Sequence, residues 1–160
     1  MTEPAERLGE LLRTAGLTVA VAESCTGGLL GSRITEVPGS SDYFLGGVIV
    51  YSNEAKEKLL QISPRLLKEV GAVSTAVAVA MAEGVRQLLG ADIGVGITGI
   101  AGPTGAAPGK PVGLVYVALS AADGRWCDRH LYQGDRAGNR KRSVEAALRM
   151  VCRYIEEGKE

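Results

Sequence analysis

Leu8, Leu11, Leu12 and Ala15 recur at the three- and four-residue spacing of one helix face, predicting a first helix over 4–15 that ends at Gly16. LTVAVAE, 17–23, is a short apolar run with the length of a buried strand. Gly27 to Val37 then reads as a helix stopped by Pro38-Gly39, and YFLGGVIVY, 43–51, as a second strand with a weak point at its paired glycines. Short helices follow at 54–60 and 64–70, the latter with Ser63 as cap and Pro64 in the first position, where a missing N–H costs least. Ser74 caps a longer helix, 75–89, with Val77, Met81, Val85 and Leu88 on one face and Gly90 at its end. ADIGVGIT, 91–98, is a third strand. The segment 99–111, GIAGPTGAAPGKP, is too rich in Gly and Pro to be regular. VGLVYVALS, 112–120, and RWCDRHLY, 125–132, flank the turn Ala122-Asp123-Gly124 as a hairpin. Asp135 caps a last helix whose apolar face is Val144, Ala147, Leu148, Val151, Tyr154 and Ile155.

Strands alternate with helices as far as the third strand, and a hairpin then closes the sheet, so the fold class is α/β with a mixed sheet. If the first three strands run parallel, the junctions Ser24-Cys25-Thr26, Tyr51-Ser52-Asn53 and Thr98-Gly99-Ile100 share one edge, the edge at which open α/β sheets bind ligands. The hairpin adds Lys110 and Gly134-Asp135-Arg136 to that rim. The apolar pattern alone does not require so many polar and glycine residues to gather there.

Composition narrows the picture. The 160 residues suggest one domain, 1–160, and with only 4% aromatics its core must be aliphatic. Lys+Arg and Asp+Glu balance at 18 each, which argues against a bulk electrostatic grip on nucleic acid or on an anionic membrane. Three widely spaced cysteines and one histidine exclude the usual zinc and disulfide frameworks. The charged, amphipathic start has no signal-peptide core, so a cytoplasmic protein is expected.

The candidate chemistry lies in VAESCTGGLLGSRI, residues 21–34. Ser24, or equally Thr26, would suit the cap of the helix that follows. If Thr26 caps, Ser24 is free to act as a nucleophile, with backbone donors at the helix mouth available to an oxyanion. His130 sits inside a strand and makes a poor base. The alternative base is a lysine of EAKEKLL, and spacing does not choose between Lys56 and Lys58; a solvated face pairing Lys58 with Glu54 is equally consistent. Cys25 is a rival nucleophile or a small buried apolar residue. Tyr51 ends a strand, where it packs or relays a proton. Arg136, Arg140, Lys141 and Arg142 form a solvated basic face or contact a phosphate. The 99–111 loop has the glycines of an anion cradle but neither a P-loop nor a dinucleotide fingerprint.

AESCTGG (22–28), GGVIVYSNEAK (46–56), GAVS (71–74), GITGIAGP (96–103), KPVGLVYVAL (110–119) and GDR (134–136) together resemble the C-terminal domain of competence/damage-inducible protein A, a family that includes stand-alone nicotinamide-mononucleotide amidases. The resemblance implies a three-layer α/β/α sandwich with a five-stranded mixed sheet and one antiparallel strand. It implies deamidation of nicotinamide mononucleotide to nicotinic acid mononucleotide and ammonia, with no cofactor and no metal. Carried over by motif, Ser24 is the nucleophile and Tyr51 and Lys56 are its activating partners. Thr98, Gly99, Ala101, Gly102 and Arg136 would line the substrate pocket, and donors at Thr26, Gly27 and Gly28 would hold the oxyanion. Members of the family commonly self-associate, so a homo-oligomer, with a dimer favoured, is the expected assembly. The length fits the stand-alone form. The loop's PTGAAPGKP is poorer in glycine than the family pattern and lacks its acidic residue. A catalytically silent nucleotide-binding or regulatory module, or a hydrolase of a related nucleotide, are the alternative readings.

Overall fold

The computed structural model describes residues 2–158; Met1, Lys159 and Glu160, at the ends of the expected 1–160 domain, lie outside the described residues. Helix α1 (Pro4–Ala15) starts where the Glu3 side chain accepts from the Ala5 amide and ends at Gly16, whose φ of 67° is left-handed. It is followed by β1 (Val19–Glu23), α2 (Leu29–Thr35), a short 3-10 turn at Ser40–Asp42 and β2 (Phe44–Ile49). Next come α3 (Asn53–Leu60), α4 (Pro64–Val70), α5 (Thr75–Leu89), β3 (Ile93–Gly99), the hairpin β4 (Leu114–Ala121) and β5 (Gly124–Leu131), and α6 (Arg136–Glu157). Ser63, Ser74 and Asp135 cap their helices as expected, each accepting from an amide three residues on.

The sheet order is β2-β1-β3-β4-β5, with β1 parallel to both neighbours and β4 the one strand running against the rest. From β1 the chain steps outward to β2, then back across β1 to β3. Right-handed crossovers in opposite directions must lie on opposite faces. Accordingly, α2 joins α1 and α6 over one aliphatic core built on Val21, Ile97, Val117 and Leu148. Helix α5, with α3 and α4, covers the other face through Val77, Met81, Leu60 and Leu67. The result is an α/β/α sandwich whose carboxyl-end rim is formed by β1, β2 and β3.

Strand β2 and one position of α5 differ from expectation. Strand β2 begins at Phe44 and bulges: Val19 pairs with Phe44, but Ala20 pairs with Gly46, leaving Leu45 as the extra residue beside Gly46 at φ 143°. Leu88, expected on the buried face of α5, is 52% exposed. The close approach of α5 to the sheet depends on glycine. A Cβ on Gly96 would stand 2.5 Å from the Ala78 carbonyl oxygen, which is helix backbone and has nowhere to go. Gly96→Ala is therefore expected to destabilise the protein by about 2 kcal/mol, the scale of core overpacking. Urea unfolding with an unchanged m-value would show it.

Candidate active site

Strand β1 delivers the chain to the rim, and its ladder continues one residue further, because the Ser24 amide donates to the Ile97 carbonyl at 3.1 Å. The chain then turns rather than entering a helix. Gly27 donates to the Ser24 carbonyl at 3.2 Å and Leu29 to that of Thr26 at 3.0 Å, with Gly27 and Gly28 at φ 58° and 103°. The helix expected from Gly27 thus begins at Leu29, since two left-handed residues cannot be its first turn. Neither Ser24 nor Thr26 caps it. That role falls to Glu23, buried at 2% exposure. One carboxylate oxygen accepts from the Leu30 amide at 2.9 Å and from the Thr26 hydroxyl at 2.6 Å; the other accepts from the Gly31 amide at 3.0 Å. The Ser24 hydroxyl is left with no capping duty. Glu23→Ala would strand two amides and a hydroxyl, for an expected loss of about 3 kcal/mol. Chemical denaturation measures it, and Glu23→Gln should lose less because its amide oxygen still accepts.

The second strand supplies the partner. After Val50, the Ser52 hydroxyl caps α3 by accepting from the Ala55 amide at 3.0 Å. One turn in, Lys56 points inward and is 1% exposed. Its Nζ lies 3.0 Å from Ser24 Oγ, 2.8 Å from the Val50 carbonyl and 3.2 Å from that of Tyr51. Carbonyls only accept, so a neutral amine gives its two N–H groups to Val50 and Tyr51 and turns its lone pair on the Ser24 hydroxyl. Burial lowers the Lys56 pKa from the ordinary lysine value, with Cys25 opposing in part. Lys58 is the exposed lysine of the helix and pairs with Glu54 at 2.7 Å. The solvated-face reading holds for Lys58 and Glu54 and fails for Lys56. Burial pushes the neighbouring Cys25 thiol up to about 11, so it stays protonated at neutral pH.

Ser24 and Lys56 open into a cavity of about 310 Å³. Of the residues expected to meet there, Tyr51, Thr98, Gly99, Ala101, Gly102 and Arg136 line it. Thr26, Gly27 and Gly28 do not: they form the turn, with the Thr26 side chain committed to Glu23 and the Gly27 amide to Ser24. Tyr51 holds Lys56 with its carbonyl, whereas the residue as a whole is 63% exposed at the mouth, with its hydroxyl 3.4 Å from Arg136 Nη2. The Thr98 hydroxyl donates to the Ala72 carbonyl at 2.9 Å, fixing GAVS so that Ala72 and Val73 join the wall. Arg136 donates to the Gly102 carbonyl at 2.8 Å. Lys110, placed on the rim by sequence, instead ties its loop to the Val70 carbonyl. His130 stacks on Tyr132 in the outer strand, away from this cavity.

Sequence reasoning missed Glu23, Asn139 and the role of Arg140. Asn139 is 1% exposed, and its amide nitrogen donates at 3.0 Å to the carbonyls of both Ala101 and Gly134. An asparagine amid basic residues carries no signal of burial. The Arg136–Arg140 spacing of one helical turn does place both arginines on one face, with Arg140 turned to the Cys25 and Thr26 carbonyls and Arg136 exposed at the edge of the cavity.

The fold and this pair of side chains define an α/β domain carrying a buried serine–lysine contact at the carboxyl ends of parallel strands. The chain belongs to the CinA C-terminal domain family, whose profile matches residues 1–155. It is 52% identical over 148 residues to a CinA-like protein of Salinibacter ruber and 51% identical over 150 residues to one of Citrifermentans bemidjiense. Those alignments cover 92% and 94% of this chain but 36% of each relative, so the chain spans little more than a third of their length. A CinA superfamily protein of Klebsiella pneumoniae superposes with a TM-score of 0.93 at 30% identity, over 98% of this chain and 99% of that one. The competence/damage inducible protein CihA of Agrobacterium tumefaciens superposes at 0.87 with 38% identity, over 94% and 95%. No helix among the described residues is long and apolar enough to cross a membrane.

Proposed function

We propose that the chain is a serine amidohydrolase that deamidates nicotinamide mononucleotide to nicotinic acid mononucleotide and ammonia. The observation that carries the reaction type is the 3.0 Å contact between Lys56 Nζ and Ser24 Oγ, made where the lysine's other two partners can only accept. The choice of substrate rests on the family resemblance. The cavity wall agrees with an anionic ligand, since Arg136 lines it and no carboxylate does.

In this reading Lys56 takes the Ser24 proton and Oγ attacks the carboxamide carbon, giving a tetrahedral adduct. An oxyanion formed beside this turn would have the Cys25, Thr26 and Gly28 amides to draw on, none of which donates to a backbone carbonyl among the described residues. The C–N bond breaks as the Lys56 ammonium returns its proton to the leaving nitrogen, releasing ammonia. Water then loses a proton to Lys56 and attacks the acyl carbon, and the C–Oγ bond breaks as Lys56 returns that proton to Ser24 Oγ, releasing the acid. A tyrosine relay is unnecessary, because base and nucleophile touch directly; Tyr51 instead offers its ring and the Arg136 pair to the substrate's outer part. The pyridinium draws electrons from the carboxamide and makes it the more readily attacked.

The test is ammonia release from nicotinamide mononucleotide by the purified protein with EDTA present. Stoichiometric ammonia and nicotinic acid mononucleotide are expected. Binding without release would favour the silent-module reading, and release only from other nucleotides would move the substrate assignment. We further propose that the protein acts in the cytoplasm as a homo-oligomer, which light scattering would test.

A further inference from the structure

The geometry assigns Arg140 as the residue that positions the nucleophile: its guanidinium holds the peptide planes after Ser24, and through them the hydroxyl's place against Lys56. The inference rests on the serine-nucleophile reading above. Arg140 is half-buried on the first turns of α6, with Nε 3.1 Å from the Cys25 carbonyl and Nη2 2.9 Å from the Thr26 carbonyl. It forms no ion pair among the described residues. One planar fork thus grips two consecutive carbonyls, the two that directly follow the nucleophile.

That grip reaches Ser24 by covalent geometry. In a trans peptide the C=O and the next N–H point in opposite directions in one plane. Holding the Thr26 carbonyl outward turns the Gly27 N–H back, and that N–H is the one that closes on the Ser24 carbonyl at 3.2 Å. Holding the Cys25 carbonyl fixes the preceding plane in the same way. The turn contains two glycines at positive φ, and its own backbone keeps this shape through two hydrogen bonds, Gly27 to the Ser24 carbonyl and Leu29 to the Thr26 carbonyl, which the guanidinium reinforces. Glu23 holds the α2 side of the same segment through the Leu30 and Gly31 amides. The fold therefore does not depend on Arg140, while the last fraction of an ångström between Ser24 and Lys56 does. On the same helix face Asn139 and Arg136 hold the carbonyls of Ala101 and Gly102, so α6 sets the nucleophile turn and the glycine loop in one register.

Lysine cannot replace this residue, because a single ammonium does not reproduce a planar fork. Arg140→Ala and Arg140→Lys are expected to lower kcat about 100-fold, the scale of a misplaced reacting group, with KM within about threefold of wild type. Labelling of Ser24 by a fluorophosphonate should slow in parallel, since that probe does not need the substrate pocket. Guanidinium ion, at concentrations well below those that unfold the protein, should restore part of the kcat of Arg140→Ala and none of that of Arg140→Lys, whose ammonium occupies the vacated space. Wild-type kcat in both variants, a loss confined to KM, or a loss in folded Arg140→Ala that guanidinium does not relieve would each overturn the assignment. If Arg140→Ala does not fold, a folded Arg140→Lys that labels at the wild-type rate does the same. A wild-type protein that neither releases ammonia nor labels at Ser24 would instead overturn the serine-nucleophile reading itself.

Discussion

Lys56→Met is expected to lower turnover of nicotinamide mononucleotide about 1,000-fold, the scale of removing a positioned general base, and to leave the fold standing. The methylene stem keeps its packing, and what disappears is the lone pair 3.0 Å from Ser24 Oγ. Lys56→Arg should be as inactive, because a guanidinium keeps its proton at any working pH. The pH profile supplies the sign. Only the neutral amine accepts the Ser24 proton, so wild-type kcat should rise with pH and level off as Lys56 deprotonates. Burial lowers that pKa, so the rise falls below the roughly 10.4 of a free lysine. Between the lowered folded value and the unfolded one, the unfolded chain binds the extra proton. Stability contributed by this group therefore increases as pH rises through that window. In Lys56→Met both the kinetic limb and this stability gain should be missing, and the difference between wild type and variant isolates them from the other alkaline titrations. A variant retaining the same rising limb would place the base elsewhere.

Most of the architecture was legible because it rests on local signals. The apolar stripes of α1, α5 and α6, the caps Ser63, Ser74 and Asp135, and the Ala122-Asp123-Gly124 hairpin turn are short-range chemistry, and the sheet follows from their order. Convergence of three strand ends on one rim was legible for the same reason. What could not be read was the direction in which side chains face once a tertiary partner outbids local preference. Ser24 and Thr26 looked like caps because nothing in the sequence says that a carboxylate one residue before the turn reaches forward to Leu30 and Gly31. Lys56 and Lys58 are equivalent by composition and separated only by which side of α3 meets the sheet. Arg140 and Asn139 lie in a run whose polarity announces solvent, and only packing of α6 against two loops turns them inward. The family resemblance selected Lys56, and the geometry supplies the physical reason for distinguishing it from Lys58. The resemblance also pointed to Thr26, Gly27 and Gly28 as pocket residues. The turn commits only the Thr26 side chain and the Gly27 amide, and the Thr26 and Gly28 amides, like that of Cys25, donate to no backbone carbonyl among the described residues.

Ser24→Ala should have the largest effect of all: ammonia release reduced about 10⁴-fold or more, because nucleophile and base act as a unit and neither retains much function alone. The fold should be unaffected, since Ser24 is held by its backbone, through Ile97 and Gly27, and its hydroxyl's partner in this structure is Lys56. Removing that oxygen takes the hydroxyl from the Lys56 amine and leaves its bonds to the Val50 and Tyr51 carbonyls in place. The variant then holds a competent base facing a cavity with no nucleophile. This makes it a sharp test. If the base serves only to activate Ser24, calorimetry should find nicotinamide mononucleotide bound with near wild-type affinity and unchanged after long incubation. If the base can activate water directly, Ser24→Ala should still release ammonia at a rate that rises with pH, and the covalent route would be wrong. Wild type mixed with substrate and quenched in acid should carry the acyl group on the peptide containing Ser24, and Ser24→Ala should not. Turnover without such an adduct would sink the nucleophile assignment even if the variant were inactive, because the hydroxyl could then be orienting a water rather than attacking.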